Sequence, residues 1–229
     1  MRVAEIFHSI QGEGLLTGVP SVFIRTSGCN LRCDWCDTPY ASWKPEGEEM
    51  SVLEILKVIS EWDCSHIVLT GGEPMIAPDL TELSDALKKQ NKHITIETAG
   101  TIPPNGIPCD LASISPKLSN STPPASRDPA WAKRHEATRL QPEVISEWIR
   151  KYPFQLKFVV SSENDLVEIK SLILKLPKIP VDRVLLMPEG IDSKTLASRS
   201  PWLVEICKRE GFRFCPRLHI ELFGHKRGT

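Results

Sequence analysis

From residue 21 onward, short runs of apolar and β-branched residues alternate with longer stretches whose apolar residues recur every three to four positions. That alternation constrains the chain more than any other feature. A strand, a crossover helix and a second strand of one sheet connect right-handedly and leave the strands parallel. Strands are predicted over 21–26 (SVFIRT), 66–70 (HIVLT), 93–97 (HITIE), 110–115 (DLASIS), 154–160 (FQLKFVV) and 183–187 (RVLLM). Amphipathic helices are predicted over 51–62, 79–89, 162–176 and 200–210. Ser51 and Glu54 have capping-box spacing, Asp79 is the expected cap of the second helix, and Pro201 the expected first residue of the last. About six strand–helix units fall short of the eight in a closed barrel. The expected fold is therefore α/β, a partial TIM-type β/α barrel. Residues 1–229 read as a single domain, with an insertion at about 120–142 that is rich in Pro, Ser and charge.

Charge narrows the function classes. Lys and Arg total 28 against 29 Asp and Glu, a net charge of −1. That balance argues against a nucleic-acid binder working by phosphate neutralisation. No run approaches the ~18 apolar residues of a membrane span. Glu5 and His8 interrupt the N-terminal apolar positions, so no export signal is read there. A cytoplasmic protein with no membrane partner is the expectation.

Seven cysteines are an odd number, which suits a disulfide framework poorly. Cys64, Cys109, Cys207 and Cys215 are scattered singly and read as small buried hydrophobes. Cys29, Cys33 and Cys36 instead form a C-x3-C-x2-C triplet. A structural zinc takes four ligands, and most electron-transfer clusters take four cysteines. The fourth ligand is not obvious, with His8 and Cys64 the available candidates. Spacing alone leaves zinc, free thiols and a cluster with one open metal position all standing.

Ligands of parallel α/β sheets bind at the carboxyl ends of the strands. The polar and glycine-rich segments fall at those ends: Arg25 to Gly28 and then the cysteines, Thr70-Gly71-Gly72-Glu73-Pro74, Glu97 to Thr101, and Ser115-Pro116-Lys117. Any one of these could be turn chemistry. Their convergence on one edge of the predicted sheet argues for a site.

With those residues in place, the triplet resembles the signature of the radical S-adenosylmethionine superfamily, and Gly71-Gly72-Glu73-Pro74 resembles its GGE motif. A narrower resemblance, to the 7-carboxy-7-deazaguanine synthase family, covers nearly the whole chain. It rests on Ile10-Gln11-Gly12-Glu13-Gly14, Arg25, Cys33-Asp34-Trp35-Cys36-Asp37-Thr38, Glu97-Thr98-Ala99-Gly100-Thr101, Ile114-Ser115-Pro116-Lys117 and Leu222-Phe223-Gly224-His225-Lys226. The resemblance implies a radical lyase that contracts 6-carboxy-5,6,7,8-tetrahydropterin to 7-carboxy-7-deazaguanine with loss of ammonia, in queuosine precursor biosynthesis. It implies one [4Fe–4S] cluster on Cys29, Cys33 and Cys36, and S-adenosylmethionine on Trp35, Cys36, Asp37, Gly72, Glu73, Ser115, Pro116 and Lys117. It further implies Mg²⁺ on Thr38, and a pterin substrate held by Ile10, Gln11, Gly12, Glu13, Arg25 and Thr70. A homodimer and an external electron donor such as flavodoxin or ferredoxin complete the expected partners. Glu13 is the expected acceptor for the guanidine-like edge of the pterin, and Arg25 the expected fork for its carboxylate. A glycyl-radical activating enzyme shares the cysteine spacing but has no need of Gln11 to Glu13 or Arg25. The basic run around His135 reads as a solvated face.

Overall fold

Along each parallel strand successive side chains point to opposite faces, and in this chain the two faces differ in chemistry. The computed structural model describes residues 1–229. Nine strands form one sheet: β1 Arg2–Ile10, β2 Pro20–Thr26, β3 Glu48–Glu49, β4 His66–Gly71, β5 His93–Thr98, β6 Leu111–Ile114, β7 Phe154–Val160, β8 Val184–Pro188 and β9 Arg213–Phe214. Their spatial order is β3-β1-β2-β4-β5-β6-β7-β8-β9. The strands from β2 through β4 to β9 run parallel, as the alternation requires. β1 is antiparallel to β2 and to β3. β3 and β9 lie at opposite edges without pairing, so the barrel is open.

Val22, Ile24, Ile67, Leu69, Ile94, Ile96, Ile114, Leu156, Phe158 and Leu186 form the outward face, part of a continuous core of 32 buried residues. Against it pack Ile55 of α1 (Val52–Ile59), Leu83 of α2 (Leu80–Lys89) and Trp148 of α4 (Pro142–Lys151). Ile169 of α5 (Asp165–Ile173) and Leu203 of α6 (Ser193–Glu210) complete the layer. Burying each large aliphatic side chain contributes about 1.5–3 kcal/mol, and this layer carries most of the fold's stability. The inward face carries two small apolar clusters, Phe7/Phe23/Val68 and Val159/Leu185/Met187/Cys215. Between them lie polar residues.

Several local expectations need correction. β1 is a nine-residue strand in the stretch where no strand is predicted. Its alternation is broken by a register shift between Val3 and Glu5. The capping box of Ser51 and Glu54 is present. Asp79 does not cap α2: it has φ 62° and its carboxylate makes no cap bond, lying instead 3.8 Å from the N-terminal amine. Pro201 sits inside α6, because Asp192 caps that helix nine residues earlier by accepting from Thr195 N.

Within 120–142 the chain forms α3 (Pro129–Thr138), capped by Asp128. The basic run is only partly solvated. Lys133 and Arg134 are exposed, but His135 is fully buried and Arg139 nearly so. His135 Nδ1 accepts from Arg32 N at 3.1 Å while its Nε2 meets Ser121 Oγ at 2.9 Å. Burial and the nearby Arg139 keep its pKa down at about 4, so the ring is neutral and free to accept. Arg139 pairs with Glu136 at 2.5 Å and with Glu168 of α5 at 2.6 Å. α3 is thus fastened to the loop that carries the cysteines.

Phe158 is fully buried on the outward face. Phe158→Ala should cost about 3–5 kcal/mol, read as a lower urea midpoint with the slope retained. A loss below about 1 kcal/mol would mean that the layer collapses into the space and is less tightly packed than the burial implies.

Candidate functional site

One cavity of about 230 Å³ opens at the carboxyl ends of the strands. It collects Arg25 from β2, Thr70 from β4, Glu97 from β5 and Lys157 from β7, all on the inward face. The cysteine loop after β2 supplies Cys29, Cys33, Trp35, Cys36, Asp37 and Thr38. Ile10, Gln11, Gly12 and Glu13 enter from the turn after β1, Gly71 and Gly72 from the end of β4, and Ser115 and Lys117 from the end of β6. Two expected residues do not line it. Pro116 lies outside, and Glu73 is fully buried beneath. The Glu73 carboxylate accepts from Ala99 N and Thr98 Oγ1, both at 2.8 Å, and from Met75 N at 3.2 Å. It braces the turn after β4 against the end of β5.

Close approach explains the glycines that matter. A Cβ on Gly72 would lie 2.2 Å from Gly28 O, 2.5 Å from Ala41 O and 2.8 Å from Cys29 Cβ. A Cβ on Gly12 would lie 2.0 Å from His219 Nδ1. The first leaves bare backbone beside Cys29, and the second lets a C-terminal histidine seat against the β1 turn.

The wall built by β2, β4 and β5 is polarised. Arg25 donates from Nε to Glu5 Oε1 at 2.7 Å, and Tyr40 OH donates to the same oxygen at 2.7 Å. The terminal guanidinium nitrogens of Arg25 make no hydrogen bond with protein. Arg25 and Thr70 are paired in register. Thr70 Oγ1 donates to Glu97 Oε2 at 2.9 Å and Gln11 Nε2 to Glu97 Oε1 at 3.2 Å. Each oxygen has one neutral donor, so Glu97 keeps spare acceptor capacity in the cavity.

Glu13 is placed differently from the sequence expectation. One oxygen takes the ammonium of Lys157, and the other accepts from Arg217 Nε at 3.0 Å with His219 Nε2 4.0 Å away. Arg217 also pairs with Asp37 and donates from Nη1 to Gly190 O at 2.6 Å. Burial alone would raise the Glu13 carboxyl, but Lys157, Arg217 and His219 overcome it and hold the group well below the usual carboxylate range. Burial would lower Lys157, and Glu13 and Glu97 reverse that to hold it above the usual lysine range. Each Glu13 oxygen is thus paired with a cationic side chain of the chain itself, and Gln11 Oε1 accepts from Glu13 N at 3.1 Å.

Lys157 and Arg217 were not anticipated. The signal for Lys157 was present: a lysine in the middle of FQLKFVV, on the opposite face from Leu156 and Phe158, is tolerable only if paired. Arg217 follows the two-residue strand β9 and carried no comparable signal.

All seven cysteines are free. Cys64, Cys207 and Cys215 are buried, in keeping with a packing role. Neither His8 nor Cys64 lines the cavity, so neither completes the triplet. Without a metal, burial pushes Cys29 and Cys33 up to about 12. Ser27 Oγ and Asn30 Oδ1, on either side of Cys29, are buried without a partner. Cys29, Cys33 and Cys36 line the same cavity and no other cysteine does, a set of three thiolates that leaves one position of a cluster open. The donor set fits a three-cysteine cluster.

The family model described as the radical SAM superfamily matches residues 23–113. A 7-carboxy-7-deazaguanine synthase from Rhodopirellula baltica is 48% identical over 100% of this chain and 89% of its own length. One from Halobacterium salinarum is 43% identical over 97% of this chain and 90% of its own. The crystal structure of QueE from Escherichia coli superposes with a TM-score of 0.70 at 25% identity, covering 95% of this chain and 94% of that one.

The chain belongs to the 7-carboxy-7-deazaguanine synthase family.

Membership in this radical SAM family accounts for the open partial barrel and for three cysteines without a fourth. It brings with it a [4Fe–4S] cluster and S-adenosylmethionine as the cofactors of the cavity. No helix is long and apolar enough to cross a membrane.

The ion pairs of Glu13 make stability depend on pH. A carboxyl depressed below its usual 4.5 contributes fully above that value and loses its contribution as pH falls towards the folded pKa. Glu13→Gln should lower stability at neutral pH by about 3–5 kcal/mol, since Lys157 is left buried with less compensation. It should also flatten the acid limb below about pH 4.5. Urea midpoints measured against pH test this, and superimposable acid limbs would show that the pairing does not operate in solution.

Proposed function

We propose that this chain is a radical S-adenosylmethionine lyase converting 6-carboxy-5,6,7,8-tetrahydropterin to 7-carboxy-7-deazaguanine with release of ammonia, dependent on Mg²⁺. The observation that carries the reading is the polarity of the cavity wall. A guanidinium with free terminal nitrogens and a carboxylate with spare lone pairs stand on strands separated only by β4. Two strand spacings put the backbones that carry them about 9.5 Å apart. That separation suits a bicyclic ring with an acid at one end and a guanidine-like edge at the other. Arg25, its plane fixed by Glu5, takes the substrate carboxylate. Glu97, oriented by Gln11 and Thr70, takes the two ring donors, in place of Glu13.

Cys29, Cys33 and Cys36 hold the cluster; Gly72, Ser115, Lys117, Trp35 and Asp37 line the space for S-adenosylmethionine. When bound, these groups supply one-electron reductive cleavage and hydrogen-atom abstraction. Lys117 is steered by Ser115, donating to its O at 2.8 Å and its Oγ at 2.9 Å. Thr38 offers the hydroxyl for Mg²⁺, which keeps several waters and needs few protein ligands. Asp37, held below the usual carboxylate range by Arg217 against the opposing effect of burial, stays ionised beside it. The Glu13–Lys157–Arg217–Asp37 group, two carboxylates and two cations, closes the far side of the cavity and keeps its charges matched without substrate.

The test is anaerobic reconstitution followed by incubation with 6-carboxytetrahydropterin, S-adenosylmethionine, Mg²⁺ and dithionite. Mass spectrometry should find 7-carboxy-7-deazaguanine together with 5′-deoxyadenosine. Arg25→Ala and Glu97→Gln should each lower kcat/KM by about 100-fold or more while the protein still takes up iron and binds S-adenosylmethionine. Thr38→Ala should shift the Mg²⁺ requirement upward. 5′-Deoxyadenosine without the deazaguanine would reject the substrate; loss of both would reject the cluster assignment.

A further inference from the structure

One of the three cluster-holding sulfurs is met by a buried hydroxyl. Ser42 is 2% exposed and lines the cavity beside the cysteine loop. Its Oγ lies 3.1 Å from Cys36 Sγ. The other hydrogen-bonding contacts to these sulfurs are longer. Leu31 N donates to Cys29 Sγ at 3.3 Å, and Thr38 Oγ1 lies 3.8 Å from Cys36 Sγ.

A tight backbone route brings Ser42 there. Thr38 and Ser42 flank a single 3₁₀ turn, Pro39–Ala41. Ala41 N donates to Thr38 O at 2.9 Å and Ser42 N to Pro39 O at 3.2 Å, so the chain folds back and returns Ser42 to Cys36. Ala41 is fully buried, and its O accepts from Gly28 N at 2.9 Å, which ties the turn to the residue before Cys29. On the other side, Trp43 Nε1 donates to Cys33 O at 2.9 Å. These bonds hold the turn without help from the Ser42 hydroxyl. The one other acceptor for that hydroxyl is Thr38 O at 3.5 Å, beyond the usual range of a hydroxyl bond. A buried hydroxyl needs a partner, and here the sulfur is that partner.

In the metal-free chain either Cys36 or Ser42 can be the donor. A cysteine that ligates metal does so as thiolate, so with the cluster bound only Ser42 can donate. The bond is then charge-assisted. We propose that Ser42, by donating to Cys36 Sγ, raises the reduction potential of the cluster and so governs how readily it accepts the electron that starts the reaction. Reduction adds negative charge to the cluster and its sulfurs. A donor at one sulfur therefore stabilises the reduced form more than the oxidised form. The electron comes from an external one-electron reductant, the cluster gains it, and the proton stays on Ser42 Oγ. Ser42 acts through Cys36, and its role presupposes the three-cysteine cluster assigned above.

The test is a dye-mediated potentiometric titration of the anaerobically reconstituted protein, followed by electron paramagnetic resonance, in wild type, Ser42→Ala and Ser42→Thr. Ser42→Ala should weaken the reduction equilibrium about three- to tenfold, a fall in midpoint of about 28–59 mV for one electron. Ser42→Thr keeps the hydroxyl and should restore the wild-type midpoint. At a fixed dithionite concentration Ser42→Ala should form 5′-deoxyadenosine more slowly, and titanium(III) citrate, a stronger reductant, should close the gap. A merely structural role would leave that gap open. An unmoved midpoint in Ser42→Ala with full iron and sulfide content would overturn the role of Ser42. So would a lowered midpoint that Ser42→Thr fails to restore, which would mark a packing effect, or a Ser42→Ala protein that no longer assembles the cluster, which would make Ser42 a folding residue. A wild-type protein with no cluster signal brings down the cluster assignment together with Ser42, whereas an unmoved midpoint over an intact cluster brings down Ser42 alone.

Discussion

A barrel that stops short of closure needs something other than a backbone ladder to hold its two edges. Here that task falls to the turn after β1. Glu13 reaches across to Lys157 of β7 and to Arg217 beyond β9. The backbone reinforces the crossing: Leu218 N donates to Gly12 O at 2.9 Å, Leu15 N to Gln155 Oε1 at 2.7 Å and Gly14 N to Cys215 Sγ at 3.1 Å. Because Arg217 also takes Asp37, the same network sets the end of the cysteine loop. Buried ion pairs contribute little net stability once desolvation is counted, but breaking one is costly. The network therefore acts mainly by specifying where four segments meet, and the cavity exists because they meet there.

Given that closure, the strands can devote one face to stability and the other to chemistry. Parallel strands buried on both faces normally read as continuous apolar runs. These do so only on the side that meets the helices. Arg25 follows Ile24, Thr70 follows Leu69, Glu97 follows Ile96 and Lys157 follows Leu156, each outward residue fully or almost fully buried. On β2 and β4 the inward residue is polar at the carboxyl end and apolar one step below, Phe23 beneath Arg25 and Val68 beneath Thr70, whereas on β5 and β7 Thr95 and Gln155 keep that position polar. A substitution on the outward face is thus a stability experiment, and one on the inward face a binding experiment.

That division decides what could be read from the sequence. The six parallel strands, the partial barrel and the triplet at its carboxyl edge follow from periodicity and from the position of polar residues at strand ends. Arg25 in SVFIRT stood out because an unpaired guanidinium in an apolar run is expensive. β1 did not stand out, since Glu5 and His8 break its pattern, yet Glu5 turns inward to hold Arg25 and Tyr40. The pairing of Glu13 was beyond local reading. It depends on Lys157 and Arg217, and Arg217 is 204 residues from Glu13 in the chain. Glu73 is the converse case, where a motif residue at a strand end turns inward to accept three hydrogen bonds from its own and neighbouring turns.

The segment at 120–142 shows how a stretch of unremarkable composition acquires a specific place. Its buried histidine must be neutral to accept the Arg32 amide, and burial beside Arg139 keeps it so. His135 therefore ties α3 to the middle of the cysteine triplet through a single acceptor nitrogen. The same tie fixes Trp131 under Arg32. A chain that needed only to cover a hydrophobic face would place an apolar residue there. Using a neutral imidazole instead fixes register as well as burial, because the bond is directional and an unpaired buried amide is penalised. The cysteine loop is consequently held from two sides, by Arg217 at Asp37 and by His135 at Arg32. A loop so held presents its three sulfurs to the cavity with little conformational entropy left to lose when a cluster is bound.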